Sequence, residues 1–246
     1  MKTIGVLYRA PFRLDHPICQ ESVRVTHFYS LKPQYLVLDY VTQLTGVFTS
    51  GHDTDPVTTI SWRDAIVWCN ALTEYYNSLN GTSLSCVYKL VGTPIRNANN
   101  ATCDTVVPDT SSKGFRLPLS MEWELAARYK DGRSWTSGSY ASGAIANYTN
   151  AAANSAVAWY SLNSNLSAAN IYSTQPVSGK IANALNLRDM SGNVCEWCFD
   201  ISGSDRLLRG GSWYHPNTKL QLGYIYTQSS ATVTLNDAGF RFVRTE

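Results

Sequence analysis

The sequence predicts an α+β domain with short strands, two main helices and long loops, and three observations carry that reading. Two stretches place apolar residues at helical spacing behind a serine. Short runs elsewhere alternate apolar and polar positions, as strands with one buried face do. The remainder is rich in Gly, Ser, Asn and Thr and holds no such period. A chain of 246 residues has ample length to bury a core, and 7 Trp and 15 Tyr with only 15% charged residues place it among globular rather than disordered chains.

Between about 20 and 50, the alternation in YLVLDYV at 35–41 predicts one or two short strands, and GHDTDP at 51–56 is turn chemistry. Ser61 then opens a helix, with Asp64 three residues on as the second half of a capping box. Ala65, Ile66, Cys69, Leu72 and Tyr76 follow at helical spacing, with an end expected at Asn80 and Gly81. That stripe reads as core. Residues 97–112 are a polar excursion. GFRLP at 114–118 leads into a second helix, expected to be capped by Ser120 and to run from Met121 to Arg128. Glu122 and Glu124 lie in its first turn, where the helix dipole favours negative charge. Two residues apart, they face different sides and do not read as a catalytic pair. Residues 131–180 form a long loop-dominated segment in which Trp135, Trp159 and Tyr160 are expected as buried anchors.

Composition excludes several functions. A net charge of +2 with scattered Lys and Arg argues against a nucleic-acid partner. No apolar stretch reaches membrane-spanning length. Met1 to Cys19 has no basic head followed by an apolar core and is not expected to be a secretory signal. The 6 cysteines are too few for a dense disulfide framework. Cys195 and Cys198 form a Cys-x-x-Cys pair with no second pair to complete four zinc ligands, so reduced structural cysteines are expected. A bridge among Cys69, Cys86 and Cys103 stays open.

The most distinctive stretch lies between RGGSW at 209–213 and GFRFVR at 239–244. The run joining them is built of Tyr, Ser, Thr, Asn and small apolar residues, and Lys219 and Asp237 are its only ionised side chains. Tyr with Ser, Gly and Asn is the palette of binding loops, because Tyr offers large amphipathic area at low entropic cost. An ordinary polar loop between two strands has a similar composition.

Read together, ISWRDA at 60–65 with WCN at 68–70, GFRLP at 114–118 with EWE at 122–124 and AAR at 126–128, DMSGNV at 189–194 with EW at 196–197, RGGSW at 209–213 and GFR at 239–241 resemble one family. They are similar, in order, to the signposts of the formylglycine-generating-enzyme (sulfatase-modifying factor) family. The resemblance implies a C-type lectin fold of the formylglycine-generating-enzyme type. It covers about residues 25–244, leaving 1–24 as an N-terminal extension before a single domain at 25–246. Enzymes of this family oxidise a substrate cysteine with two cysteines that follow the Gly-Gly-Ser-aromatic motif. The matching places here hold His215 and Leu220, and no cysteine follows Cys198. A thiolate binds copper(I) or attacks sulfur, and neither imidazole nor isobutyl replaces it there. A sulfoxide-forming branch holds iron with histidines, but His16, His27, His52 and His215 show no metal spacing. Neither copper nor iron is expected, nor is the chain expected to be an enzyme.

A non-catalytic branch resembles the chain better: the variable proteins of diversity-generating retroelements, which use this fold as a receptor scaffold. In that system adenines are randomised, and asparagine codons become a set that includes Tyr, His, Asn, Ser, Thr, Ile, Asp, Gly, Ala, Val, Leu and Phe but not Lys, Gln, Glu, Met or Trp. Between Tyr214 and Asp237 only Lys219, Gln221 and Gln228 fall outside it. The resemblance therefore implies a variable region at about 209–244. The ligand-facing set expected from it is Tyr214, His215, Asn217, Thr218, Tyr224, Tyr226, Thr227, Ser229, Ser230, Thr232 and Asn236. Trp213 floors the site or belongs to the core. Arg209 and Arg241 serve ligand or scaffold.

By the same resemblance calcium is expected on the Asp189 side chain, the Gly192 and Val194 carbonyls and the Glu196 carboxylate, a hard oxygen set. The alternative is a Gly-Asn turn whose carboxylates cap backbone amides. The implied partner is an extracellular protein or glycan, met at the cell surface or as a secreted protein, with any lipid anchor outside these residues. A divergent oxidase and a lectin-like module of fixed specificity are the rivals.

Overall fold

The computed structural model describes residues 55–131, 133–165, 172–228 and 230–244. The extension at 1–24, the strands expected between 20 and 50, most of the turn at 51–56 and the candidate contact Ser229 lie outside the described residues.

Helix α1, Trp62–Asn80, begins and ends where its sequence places it. The Asp64 backbone N–H donates to Ser61 Oγ at 3.1 Å, and the Ser61 N–H donates to Asp64 Oδ2 at 2.9 Å, which completes the capping box. Gly81 closes the helix at φ 61°, a left-handed conformation that costs glycine little. The helix buries Trp62, Ala65, Ile66 and Cys69 in the main core, against Tyr88, Trp197, Leu208 and Phe240. Trp62 is fixed twice more: its Nε1 donates to the Cys198 carbonyl at 3.0 Å, and the Arg206 guanidinium lies 3.6 Å above its ring.

Short strands follow. β1 (Lys89–Leu90) pairs antiparallel with β2 (Thr93–Pro94), and β3 (Phe115–Arg116) pairs antiparallel with β8 (Val243–Arg244) near the C-terminus. The main sheet is built on β4 (Cys195–Ser202) and β5 (Asp205–Arg209). β6 (Tyr226–Gln228) and β7 (Ala238–Phe240) complete it in the order β6-β5-β4-β7. The β4–β7 pairing is parallel and sets Cys195 opposite Ala238.

The second helix, α2 (Ser120–Arg128), forms as expected, but Ser120 is not its cap. Leu119 holds that position, and carboxylates take the free amides: the Leu119 N–H donates to Glu122 Oε2 at 2.8 Å and the Ser120 N–H to Asp200 Oδ2 at 2.5 Å. Anions are the stronger acceptors at a helix N-terminus. They leave the Ser120 hydroxyl to accept from Arg209 Nε at 2.8 Å.

The loop-dominated segment contains a seven-residue helix, α3 (Ala151–Val157), which its Ala-rich sequence does not announce. Asn150 caps it through the Ala153 N–H at 2.9 Å. Of the three expected anchors only Tyr160 is buried. Trp159 is half-buried, and Trp135 is exposed, packed edge-on against Tyr129. Backbone hydrogen bonds and the small cluster of Ala141, Val157, Tyr160 and Leu220 hold this region instead. Helices, short strands and long loops together bear out the α+β expectation.

Candidate ligand-binding surface

The segment between β5 and β7 rests on a floor of buried polar and glycine residues. Arg209, at the end of β5, is buried and donates in four directions: to Ser120 Oγ, to the Leu222 and Tyr224 carbonyls at 3.0 and 3.2 Å, and to Glu124 Oε2 at 2.7 Å. Its role is to tie the segment's backbone to α2. Gly211 sits at φ 70°, and a Cβ there would lie 2.8 Å from the Lys219 carbonyl, so the turn at Asn217–Lys219 packs directly on the glycine. Leu220 and Leu222 are fully buried anchors. The Leu222 and Gly223 N–H groups donate to the Tyr140 and Gly138 carbonyls, both at 2.9 Å, which sets the loop against 138–140.

Above this floor the side chains behave differently. From Trp213 to Asp237, half-buried and exposed positions alternate, and Leu220, Leu222 and Ala231 are the only buried ones among the described residues. Tyr214 is 67% exposed, and Thr218, Thr227, Thr232 and Asn236 are exposed as well. His215, Asn217, Tyr224, Tyr226 and Ser230 are half-buried.

The structure brings four candidates into one aromatic group. Ring centroids are 5.7 Å apart for Trp213 and Tyr214, 6.3 Å for Tyr214 and His215, and 5.8 Å for His215 and Tyr226. Trp213 is half-buried, and its backbone bridges the Asn193 carbonyl and the Ser164 hydroxyl, so it belongs to floor and surface alike. Lys219 folds over the Tyr224 ring at 3.9 Å and donates to its hydroxyl. Ser230 and Thr232 form a second pair, with hydroxyls 2.8 Å apart, where the Ala231 carbonyl accepts from the Arg63 N–H of α1. Strand β6 covers only Tyr226 to Gln228, with Thr227 its outermost side chain. Exposed Ile225 is a surface residue that a polar palette does not single out.

Sequence reasoning missed one cluster beneath the aromatic group. Ser212 Oγ donates to Asp237 Oδ2 at 2.7 Å and lies 2.8 Å from His215 Nδ1, with Cys195 Sγ 3.6 Å from that same nitrogen. Burial holds the His215 imidazole below its ordinary value, against the pull of Asp237, so it is neutral near pH 7. Asp237 stands in the sequence as one of two ionised residues of the run, but only the parallel β4–β7 pairing carries it to Cys195.

Of the residues expected to hold calcium, Asp189, Gly192 and Val194 lie in the turn that precedes β4, and Glu196 is the second residue of that strand. The Glu196 carboxylate is buried and receives Arg241 Nε at 2.5 Å, Arg241 Nη2 at 2.6 Å and Trp123 Nε1 at 2.6 Å. Asp189 Oδ2 accepts from the Ser178 N–H at 2.8 Å, and burial pushes this carboxyl up to about 6. The Gly192 N–H donates to the Gly210 carbonyl, and a Cβ on Gly192 would fall 2.2 Å from the Trp159 carbonyl. Arg241 thus supplies the positive charge at Glu196.

The two places where the family's enzymes carry cysteine hold the half-buried His215 and the fully buried Leu220. Cys69, Cys86, Cys103, Cys195 and Cys198 are all free and buried. Burial pushes the Cys86 thiol up to about 11 and the Cys195 and Cys198 thiols well above their ordinary value, which suits packing rather than nucleophilic chemistry.

Three comparisons bear on this geometry. Residues 40–246 match the family described as sulfatase-modifying factor enzyme 1-like domain. The chain is 30% identical over 217 residues to "Chaperone protein LppX" of Paenibacillus barcinonensis, covering 78% of this chain and 70% of that protein. Treponema denticola variable protein 1 superposes with a TM-score of 0.65 at 27% identity, covering 90% of this chain and 82% of that one. The structure of CarF superposes with a TM-score of 0.67 at 24% identity, over 90% and 84% of the two chains, and speaks for the fold alone. The resemblance carried by the sequence motifs is borne out, as is the lectin-type fold it implied.

Proposed function

The chain belongs to the sulfatase-modifying factor enzyme 1-like family, and on that premise we propose that it is a non-catalytic binding member whose segment at 209–244 displays a diversified ligand surface. The observation that carries the reading is the division of labour along that segment. Its framework residues, Arg209 to Ser212, Leu220, Leu222, Ala231 and Ala238 to Arg241, are buried. Its described candidate contacts, from Tyr214 to Asn236, are half-buried or exposed. Residues that vary freely cannot carry stability, and those exposed here make few of the contacts that would do so. A rigid floor also lowers the entropy lost on binding. The likeness to a Treponema variable protein supports the same reading.

The ligand is an extracellular protein or glycan, and the protein works at the cell surface or after secretion. Among the described residues, no helix is long and apolar enough to cross a membrane. His215 and Leu220 at the enzymes' cysteine positions support the absence of catalysis. A second reading, a module with one fixed protein client, is favoured by the Paenibacillus relative, which bears the name of a chaperone. Sequencing the surrounding locus separates the two. A neighbouring reverse transcriptase with an adenine-rich near-copy of codons 209–244 is the expected result. A locus with neither leaves only the fixed client.

A further inference from the structure

We propose that Cys195, His215 and Asp237 form a binding site for a zinc-class divalent metal ion, set into the floor of the surface described above. Cys195 Sγ lies 3.6 Å from His215 Nδ1, which lies 3.8 Å from Asp237 Oδ2, and all three atoms fall within 4.8 Å of one another. In tetrahedral zinc the bonds to sulfur, nitrogen and oxygen are about 2.0–2.3 Å, which sets neighbouring ligand atoms roughly 3.3–3.7 Å apart. The cluster is therefore close to the edge lengths that the ion requires. One thiolate, one imidazole and one carboxylate suit zinc, whereas calcium and magnesium take oxygen donors throughout. Three protein ligands leave a fourth position open.

The ligands stand on fixed backbone. Cys195 begins β4, and its N–H donates to the Asp237 carbonyl at 2.8 Å. The His215 N–H donates to the Ser212 carbonyl, and its own carbonyl accepts from the Ser161 N–H, both at 3.1 Å. Cys195 is buried, but the His215 and Asp237 side chains are 17% and 16% exposed, so an ion enters from their side. Ser212 Oγ, 2.8 Å from His215 Nδ1 and 2.7 Å from Asp237 Oδ2, occupies the space between the ligands. Binding requires that this hydroxyl rotate aside. Binding also releases the Cys195 thiol proton to solvent, so that a dication meets two anionic donors and a neutral imidazole. The site rests on His215 as it stands in this sequence, so diversification that exchanges His215 removes it.

Titration of chelator-treated, tag-free protein with cobalt(II), followed by displacement with zinc, tests the site. One equivalent of cobalt is expected to give a thiolate-to-cobalt charge-transfer band that zinc abolishes. Cys195→Ser should remove the band and weaken zinc binding by at least about 100-fold, more than outer-shell changes typically cause. Ser212→Ala clears the centre and should retain the band with affinity no weaker. If Cys195→Ser fails to fold, His215→Ala, at a half-buried position, must weaken zinc to the same degree. Absence of the band from both wild type and Ser212→Ala overturns the site. So does zinc binding that survives loss of Cys195 or His215, since that ion is then held elsewhere.

Discussion

At the scale of single residues, stability sits where the family motifs are and not with the half-buried and exposed tyrosines of the 214–236 run. Glu196 is buried with Arg241 and Trp123 on its two oxygens, so Glu196→Gln leaves a buried guanidinium without its counter-charge. A loss of about 3–5 kcal/mol in denaturant unfolding is expected, as for other broken buried pairs. A rise of the melting midpoint with added calcium, reversed by chelator, would place the expected ion beside Asp189 and Glu196, and an unchanged midpoint would leave the charge at Glu196 to Arg241 alone. Glu122 gives the pH dependence. Burial raises its carboxyl, but Arg116 and the Leu119 N–H outweigh burial and hold it below its ordinary 4.5. A depressed acid stabilises the fold above its unfolded value and loses that contribution as pH falls through the folded one. Melting midpoints of Glu122→Gln should therefore converge on those of wild type as pH drops below 4.5.

At the scale of elements, the same physics decided what the sequence disclosed. Helix α1 was legible to within a residue because Ser61, Asp64 and Gly81 are local signals that act within their own turn. The cap of α2 was not, because its acceptor Asp200 arrives from β4, 80 residues away. Helix α3 was hidden because AAANSAV carries no apolar period. The candidate contacts came from the family resemblance, since composition alone fits an ordinary polar loop as well, and the structure gives them half-buried or exposed positions. The cluster of Cys195, Ser212, His215 and Asp237 was not legible, since it exists only once β7 pairs parallel with β4. The element most sensitive to a small change is the turn at Asn217–Lys219. Gly211→Ala forces a Cβ onto the Lys219 carbonyl at a positive φ, so a loss of about 1–3 kcal/mol is expected. Faster hydrogen exchange at the Leu220 and Leu222 amides would locate it in this turn.

At the scale of the whole molecule, a rigid α+β frame carries a loop whose outward side chains are dispensable to folding. Joint replacement of Tyr214, Thr218 and Thr227 by Ala should cost less than about 1 kcal/mol in urea unfolding, since exposed positions away from caps and cores rarely matter. Incubation with a cysteine-containing peptide, copper and oxygen should yield no aldehyde, and formation of one would return the chain to the family's enzymes. The most direct test of a diversified surface is population sequencing of the 3′ end of this coding region in an otherwise isogenic culture. Substitutions clustered at Tyr214, His215, Tyr224, Tyr226 and their neighbours, with Arg209, Gly211, Leu220 and Leu222 unchanged, are the expected outcome. An invariant segment across the population would contradict diversification.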